Sequence, residues 1–379
     1  MEANPNSSEE DKLLESRSSE EDSTADPTDR LLQQHQSQRK CNWHTFTISG
    51  LTVALVASNL LWASFPTTIR EPPFNGGKSA LPRTHTHFDT CSKPVLRREW
   101  RNLAQHEQLA YLGAVICLAN TPSRSRSIGS IYDDFAFVHM QIGAHTHEAA
   151  PFFPWHRMFL HLWEQHLHDF CGFEGALPYW DWTLDWENLA ASPIFSNVTG
   201  FGGDGGHIIA SALDDGSSCV GDGPFRDLEL LYMNSTIQRH CLARGFIRYE
   251  DKADGHISGN HVRPSAVARL LDQEHYYHLN NATQWEMHNA IHWGLRGDFS
   301  QWSSANDPIF YLHHAQLDRI WWLWQQKRAS RSTEYYGLKS RQSEETASIQ
   351  DLLHYLELGS SIPVSEAMQV DAGTLCYRY

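Results

Sequence analysis

The sequence predicts a mainly α-helical protein: a central four-helix bundle with a loop-rich periphery, preceded by a disordered tail and one transmembrane helix. Three observations carry this prediction. Apolar residues recur at helical spacing in five stretches beyond residue 98, with no strand-dense region among them. Histidine is abundant, at 23 of 379 residues, and its informative members fall on or beside those stretches. An uncharged segment at 41–69 separates the helices from an acidic N-terminus. The net charge of −15 and pI near 5.8 exclude a nucleic-acid binder, because nothing neutralises phosphates. Seven cysteines without a CxxC pair exclude a zinc ribbon or a thioredoxin-like motif.

In chain order, residues 1–40 hold ten acidic and five basic side chains and no aromatic. Such a segment cannot bury enough apolar surface to offset its ordering entropy, so it is expected to be a disordered cytosolic tail. Residues 45–66 read as a transmembrane signal anchor, since twenty helical residues rise about 30 Å, the thickness of the hydrocarbon core. Residues 71–85 read as a stalk, 86–360 as the globular domain and 361–379 as a C-terminal tail. Glycosylation sequons begin at Asn197, Asn234 and Asn281, and Cys91, Cys117, Cys171, Cys219, Cys241 and Cys376 all follow the anchor. These features predict a single-pass membrane protein with its N-terminus cytosolic and its globular domain lumenal or extracellular. Six cysteines allow fifteen pairings, which stay open.

Helices are predicted over 99–118, 132–142, 154–170, 282–293 and 307–328. The last begins at Asp307-Pro308, where Asp caps and Pro suits the first turn. The stretch 172–260, rich in Gly, Asp and Ser, reads as loop. Within it, Gly200-Phe-Gly202-Gly-Asp-Gly205 matches GxGxxG, but no strand precedes it and no helix follows, so it reads as a turn.

His288 and His292 are four apart on a predicted helix, so both imidazoles lie on one face, able to share a metal. His314 starts the next helix, which an antiparallel turn would bring opposite them. A zinc-protease HExxH motif would need a glutamate where Asn289 stands. A second set is His139, His147 and His156. Two histidine triads without a carboxylate imply two metals with three nitrogen ligands each; copper, zinc and iron all suit imidazole.

The blocks Asp133-Asp-Phe-Ala-Phe-Val-His139, His147, Phe153-Pro-Trp-His-Arg157, His288-Asn-Ala-Ile-His292 and Asn306-Asp-Pro-Ile-Phe-Tyr-Leu-His-His314 resemble the tyrosinase family of type-3 copper proteins, in its short fungal form. The intervening Leu177-Pro-Tyr-Trp-Asp-Trp182 and Cys241-Leu-Ala-Arg244 look like family elements too. The resemblance implies two copper ions, one held by His139, His147 and His156, the other by His288, His292 and His314. It places His313 outside the ligand set. It implies that Asp307 bonds a ligand imidazole, that Arg157 and Asp181 form a buried pair, and that Asn289 orients a water that takes a phenol proton. Glu286, two residues before His288, is the candidate to hold that water, although a longer offset is expected in the family. His145 stands where many members have a crosslinking cysteine, so no thioether forms.

The activity so implied is ortho-hydroxylation of a phenol with O2, oxidation of a catechol to a quinone, or both. With the predicted anchor, the chain looks like the tailoring enzymes of fungal peptide-toxin pathways of the ustiloxin and phomopsin type. Their substrates are tyrosine residues in ribosomally made cyclic peptides. The alternatives are a catechol oxidase without hydroxylase activity, a pigment-forming tyrosinase, or an oxygen or copper carrier like the related haemocyanins.

Overall fold

The computed structural model describes residues 91–210, 213, 215–247 and 257–379. The tail 1–40, the segment 45–66 and the stalk 71–85 lie outside the described residues, as does Cys41. Four helical units surround the histidines: α2 (Ile131–Thr146), α3 (Phe152–Cys171), α5 (Tyr276–Ala282) continued through a π turn at Thr283–His288 into α6 (Asn289–Leu295), and α7 (Ile309–Gln326). Two further helices, α1 (Gln105–Asn120) and α4 (Pro264–Leu271), pack outside them.

Local chemistry sets these boundaries. Ser130 and Asp133 form a reciprocal capping box at the start of α2, with Ser130 N donating to Asp133 Oδ2 at 2.8 Å. Gly172, in the left-handed region at φ 62°, ends α3. Asp307 Oδ1 accepts from Ile309 N at 3.0 Å and opens α7. The helix predicted over 99–118 is interrupted instead. Trp100–Asn102 is one 3-10 turn, and Ala104 N donates to Glu107 Oε2 at 2.8 Å, so the α-helix starts only at Gln105.

Residues 172–260 hold more order than their composition suggests. The strands β2 (Gly205–Ala210), β3 (Ser218–Val220) and β6 (Ala243–Arg244) make one small sheet, and β4 (Glu229–Met233) pairs with β5 (Thr236–Cys241) as a hairpin. Each strand is too short to show a period of two in sequence. The Gly200–Gly205 segment, expected as a turn, is irregular backbone with bends that enters β2 at Gly205, and its carbonyls have a use. Those of Phe201, Gly202 and Gly203 gather around Arg244 Nη1 at 3.1, 2.7 and 3.1 Å.

The six cysteines pair as Cys91–Cys376, Cys117–Cys171 and Cys219–Cys241. The first links the two ends of the described chain beside a parallel pair of short strands, β1 (Val95–Leu96) and β7 (Tyr377–Arg378). Residues 361–379 thus close on the core, with Tyr377 buried. The sequon residues Asn197, Asn234 and Asn281 are all exposed.

The expected single-pass topology is corrected: among the described residues, no helix is long and apolar enough to cross a membrane. The two longest helices show why. Arg157, Glu164 and Asp169 lie on α3, and Asp318 and Arg319 on α7. A single Arg or Asp at a bilayer centre costs about 2.5–3.5 kcal/mol.

Candidate metal centre

The structure brings the two predicted histidine sets together. His139 lies within α2, His147 caps its C-terminus, and His156 sits in the first turns of α3. Their ring nitrogens approach within 4.8 Å of one another, as do those of His288, His292, His313 and His314. The sets face each other: His156 stacks on His314 with centroids 4.2 Å apart, and His147 lies 5.4 Å from His288. The π turn ends at His288, and its ring still lies 4.1 Å from that of His292.

The protonation pattern follows from hydrogen bonding. Nδ1 of His139 donates to the Trp302 carbonyl at 2.8 Å, His147 to Gly143 at 2.9 Å, His156 to Phe152 at 2.7 Å and His292 to Phe299 at 2.5 Å. His288 Nδ1 donates to Asn289 Oδ1 at 2.9 Å. A carbonyl only accepts, so each ring carries its proton on Nδ1 and keeps a lone pair on Nε2. Nε2 of His139, His156, His288 and His292 is buried without a partner. Buried polar atoms are rarely left this way, and lone pairs converging from opposed sets are what metal ions would satisfy.

His313 Nε2 is also buried without a partner, and the His313-His314 doublet separates by tautomer instead. Trp182 Nε1 donates to His313 Nδ1 at 3.3 Å, so a neutral His313 carries its proton on Nε2 and has no lone pair there. Both ring nitrogens of His314 are buried and without a hydrogen bond.

Burial also holds the imidazoles neutral. Desolvation pushes His139 down to about 3 and His147 to about 4, from an ordinary 6.5, and likewise holds His156, His288, His292 and His314 well below that ordinary value. Below the ordinary range the unfolded chain takes up protons that the folded, metal-free site refuses. Stability therefore falls as pH falls between about 6.5 and 3. The melting temperature of metal-free protein is expected to drop steadily from pH 7 to 4.5, and a flat profile would contradict the buried neutral cluster.

Two expected roles are corrected. Asp307 bonds no described imidazole; it forms a bidentate pair with Arg244, Oδ2 to Nε at 2.7 Å and Oδ1 to Nη2 at 2.9 Å, in a fully buried setting. Backbone carbonyls orient most of the rings instead. Arg157 does not pair with Asp181. It donates through Nε to Asp318 Oδ1 at 2.6 Å, while Asp181 caps the turn at Thr183 and accepts from Gln316 Nε2 at 2.8 Å. Asp181 lies on a surface-facing turn, and Asp318 lies on the inner face of α7.

Sequence reasoning missed the segment 297–306, which serves one histidine of each set through the Phe299 and Trp302 carbonyls. Asp298 anchors it, accepting from His240 Nε2 at 2.8 Å, Ala243 N at 2.9 Å and Asn306 Nδ2 at 3.0 Å. Gly297, at φ 55°, lets it run against the Ala243 carbonyl, which an added Cβ would meet at 2.0 Å. Any residue offers a carbonyl, so sequence holds no signal for these partners.

Above the histidines lies a cavity of 330 Å³. His139, His147, His288 and His292 form its base, and Trp285, Trp293, Trp302, Asn289 and Gln284 its walls. Glu286 is half-buried and does not line it.

A helical domain that converges two opposed sets of imidazole lone pairs under an open cavity is, as a class, a binuclear metalloprotein. The profile "Common central domain of tyrosinase" matches residues 129–327. The chain is 47% identical over 297 residues to tyrosinase ustQ of Aspergillus flavus, covering 78% of this chain and 82% of that protein. It is 43% identical over 296 residues to the tyrosinase-like protein phomQ2 of Diaporthe leptostromiformis, covering 78% and 75%. Among solved structures it is similar to a polyphenol oxidase variant from Thermothelomyces thermophila, at a TM-score of 0.66 and 26% identity over 76% of this chain and 88% of that one. The chain belongs to the tyrosinase family. It is a tyrosinase-like copper oxidase, and its histidine clusters are compatible with the two copper ions that family members bind.

Proposed function

We propose that this oxidase uses O2 to hydroxylate a phenol at the ortho position and to oxidise the catechol to a quinone. Its substrate is a tyrosine in a ribosomally made cyclic peptide of a mycotoxin pathway. The observation that carries the reading is the set of unpartnered, buried Nε2 atoms at the base of an open, tryptophan-walled cavity. The similarity to ustQ and phomQ2 supports the peptide pathway. In this reading His139, His147 and His156 hold one copper and His288, His292 and His314 the other. Bound copper supplies the redox chemistry that couples substrate oxidation to O2 reduction.

The chain's own residues do the rest. The hydrogen bonds to Nδ1 hold each ring in one orientation and keep Nε2 basic. Phe310, whose ring lies 4.2 Å from that of His314 and 4.9 Å from that of His139, keeps water from beneath the site. The tryptophan walls receive an aromatic ring. Asn289 fixes His288 through Oδ1 and, from the cavity wall, holds the water that accepts the phenol proton.

One observation favours a second reading. Glu286 stays out of the cavity, and without its carboxylate to hold that water the enzyme would oxidise catechols only. Oxygen uptake by the copper-loaded full chain separates the two. Uptake with both a tyrosine-containing cyclic peptide and 4-methylcatechol supports hydroxylation. Uptake with the catechol alone supports the second reading. Silence with both, copper being bound, overturns both in favour of a carrier.

A further inference from the structure

The cavity holds one opposed pair of full charges. Among its described lining residues, Glu148 and Arg341 are the ones that carry a permanent charge. Glu148 follows the predicted copper ligand His147 and adopts a left-handed backbone, φ 57°. A residue other than glycine rarely adopts this conformation, which persists where surroundings impose it. Here Glu148 N donates to Gln284 Oε1 at 2.5 Å, tying the turn to the helix that carries His288. The turn delivers the Glu148 carboxylate to Arg341, Oε2 to Nε at 3.4 Å.

The pair is asymmetric. The Glu148 side chain is 16% exposed and that of Arg341 35% exposed, so the guanidinium is the outer partner. Among the described residues, Arg341 is engaged only through Nε. That leaves the paired Nη donors, which suit a planar carboxylate bidentately. Arg341 lines the same cavity whose base includes His147, which places its guanidinium beside the site.

We infer that Arg341 is an anion anchor and that the cavity selects phenols whose ring substituent carries a carboxylate. The carboxylate docks on the Nη edge while the ring enters between the tryptophans toward the histidines. Glu148 holds the guanidinium in place and is a positioning residue. The inference rests on the reading of this cavity as the phenol site, and it needs no turnover to be tested.

Binding is measured by tryptophan fluorescence on the copper-loaded full chain without O2, using 3-(4-hydroxyphenyl)propionate and its neutral amide. The acid is expected to bind roughly tenfold more tightly than the amide, the worth of one charge-assisted contact. Arg341→Gln should remove that difference while leaving the amide's affinity unchanged, which shows that the variant is folded. Arg341→Lys should restore part of it, having the charge without the fork. Equal affinity for acid and amide in the native protein, or a preference that survives in Arg341→Gln, would overturn the assignment. A Tyr-Gly dipeptide and its C-terminal amide then distinguish sources: discrimination there assigns a peptide carboxylate, and discrimination confined to the propionate assigns a small phenolic acid. Oxygen uptake with 4-methylcatechol on the same preparation reports separately on the oxidase reading.

Discussion

The variant His292→Ala is expected to lose half of the bound copper and all oxygen uptake, with phenol and catechol alike. His292 Nε2 is buried without a partner, its Nδ1 is committed to the Phe299 carbonyl, and its ring lies 4.1 Å from that of His288. In the proposed reading alanine removes one of the three nitrogens that would hold one copper, and no described carboxylate stands in the cluster to replace it. If His292 helps hold one of two coppers that would act together on O2, its loss is expected to abolish the reaction and not merely slow it. Copper analysis and oxygen uptake check this directly; full activity would sink the assignment of the site. The companion variant His313→Gln should keep both coppers, because the Trp182 N–H already occupies the lone pair on His313 Nδ1. Loss of copper there, with retention in His314→Gln, would exchange the two residues.

The second large effect is on stability. Asp318 is 3% exposed and accepts from Arg157 Nε, Tyr377 OH and Tyr379 OH, each at 2.6 Å, with Arg97 Nη1 at 3.7 Å. Arg97 also donates to Glu164 Oε2 at 2.6 Å, so one buried network ties α3, α7 and both ends of the described chain. Asp318→Ala leaves the Arg157 guanidinium buried without its counter-charge. Breaking a buried pair in this way costs about 3–5 kcal/mol. That is a large share of the 5–15 kcal/mol that holds a typical domain together, on the order of a third. The urea midpoint should fall accordingly. Asp181→Ala, which the expected Arg157 pairing would have made equally harmful, should cost about 1 kcal/mol or less, as a partly exposed pair does. The reverse order of midpoints would refute the observed network.

Much of the site was legible because its signals are local. His288 and His292 stand one turn apart, and that spacing puts them on one face whatever the surrounding fold. Asp307-Pro308 marks a helix start that the structure reproduces within a few residues. The strands between residues 205 and 244 were not legible, being two to six residues long in a Gly- and Asp-rich stretch. Glu148 and Arg341 carried no sequence signal either, since 193 positions separate two unremarkable charges.

By itself, then, the sequence determined the helices that carry the histidines, the histidines on them and the family, because caps, periodicity and motif spacing act over a few residues, while Pro264–Leu271 and Tyr276–Ala282 went unread. Tertiary structure alone decided which acid meets which base. Arg157 had Asp181 and Asp318 within the same fold, and only the packing of α3 against α7 turned it to Asp318. It also decided what orients the imidazoles. Carbonyls of Phe299 and Trp302 took the role expected of Asp307, because a backbone acceptor is available at every residue and the packing of the segment 297–306 chooses which ones reach the rings.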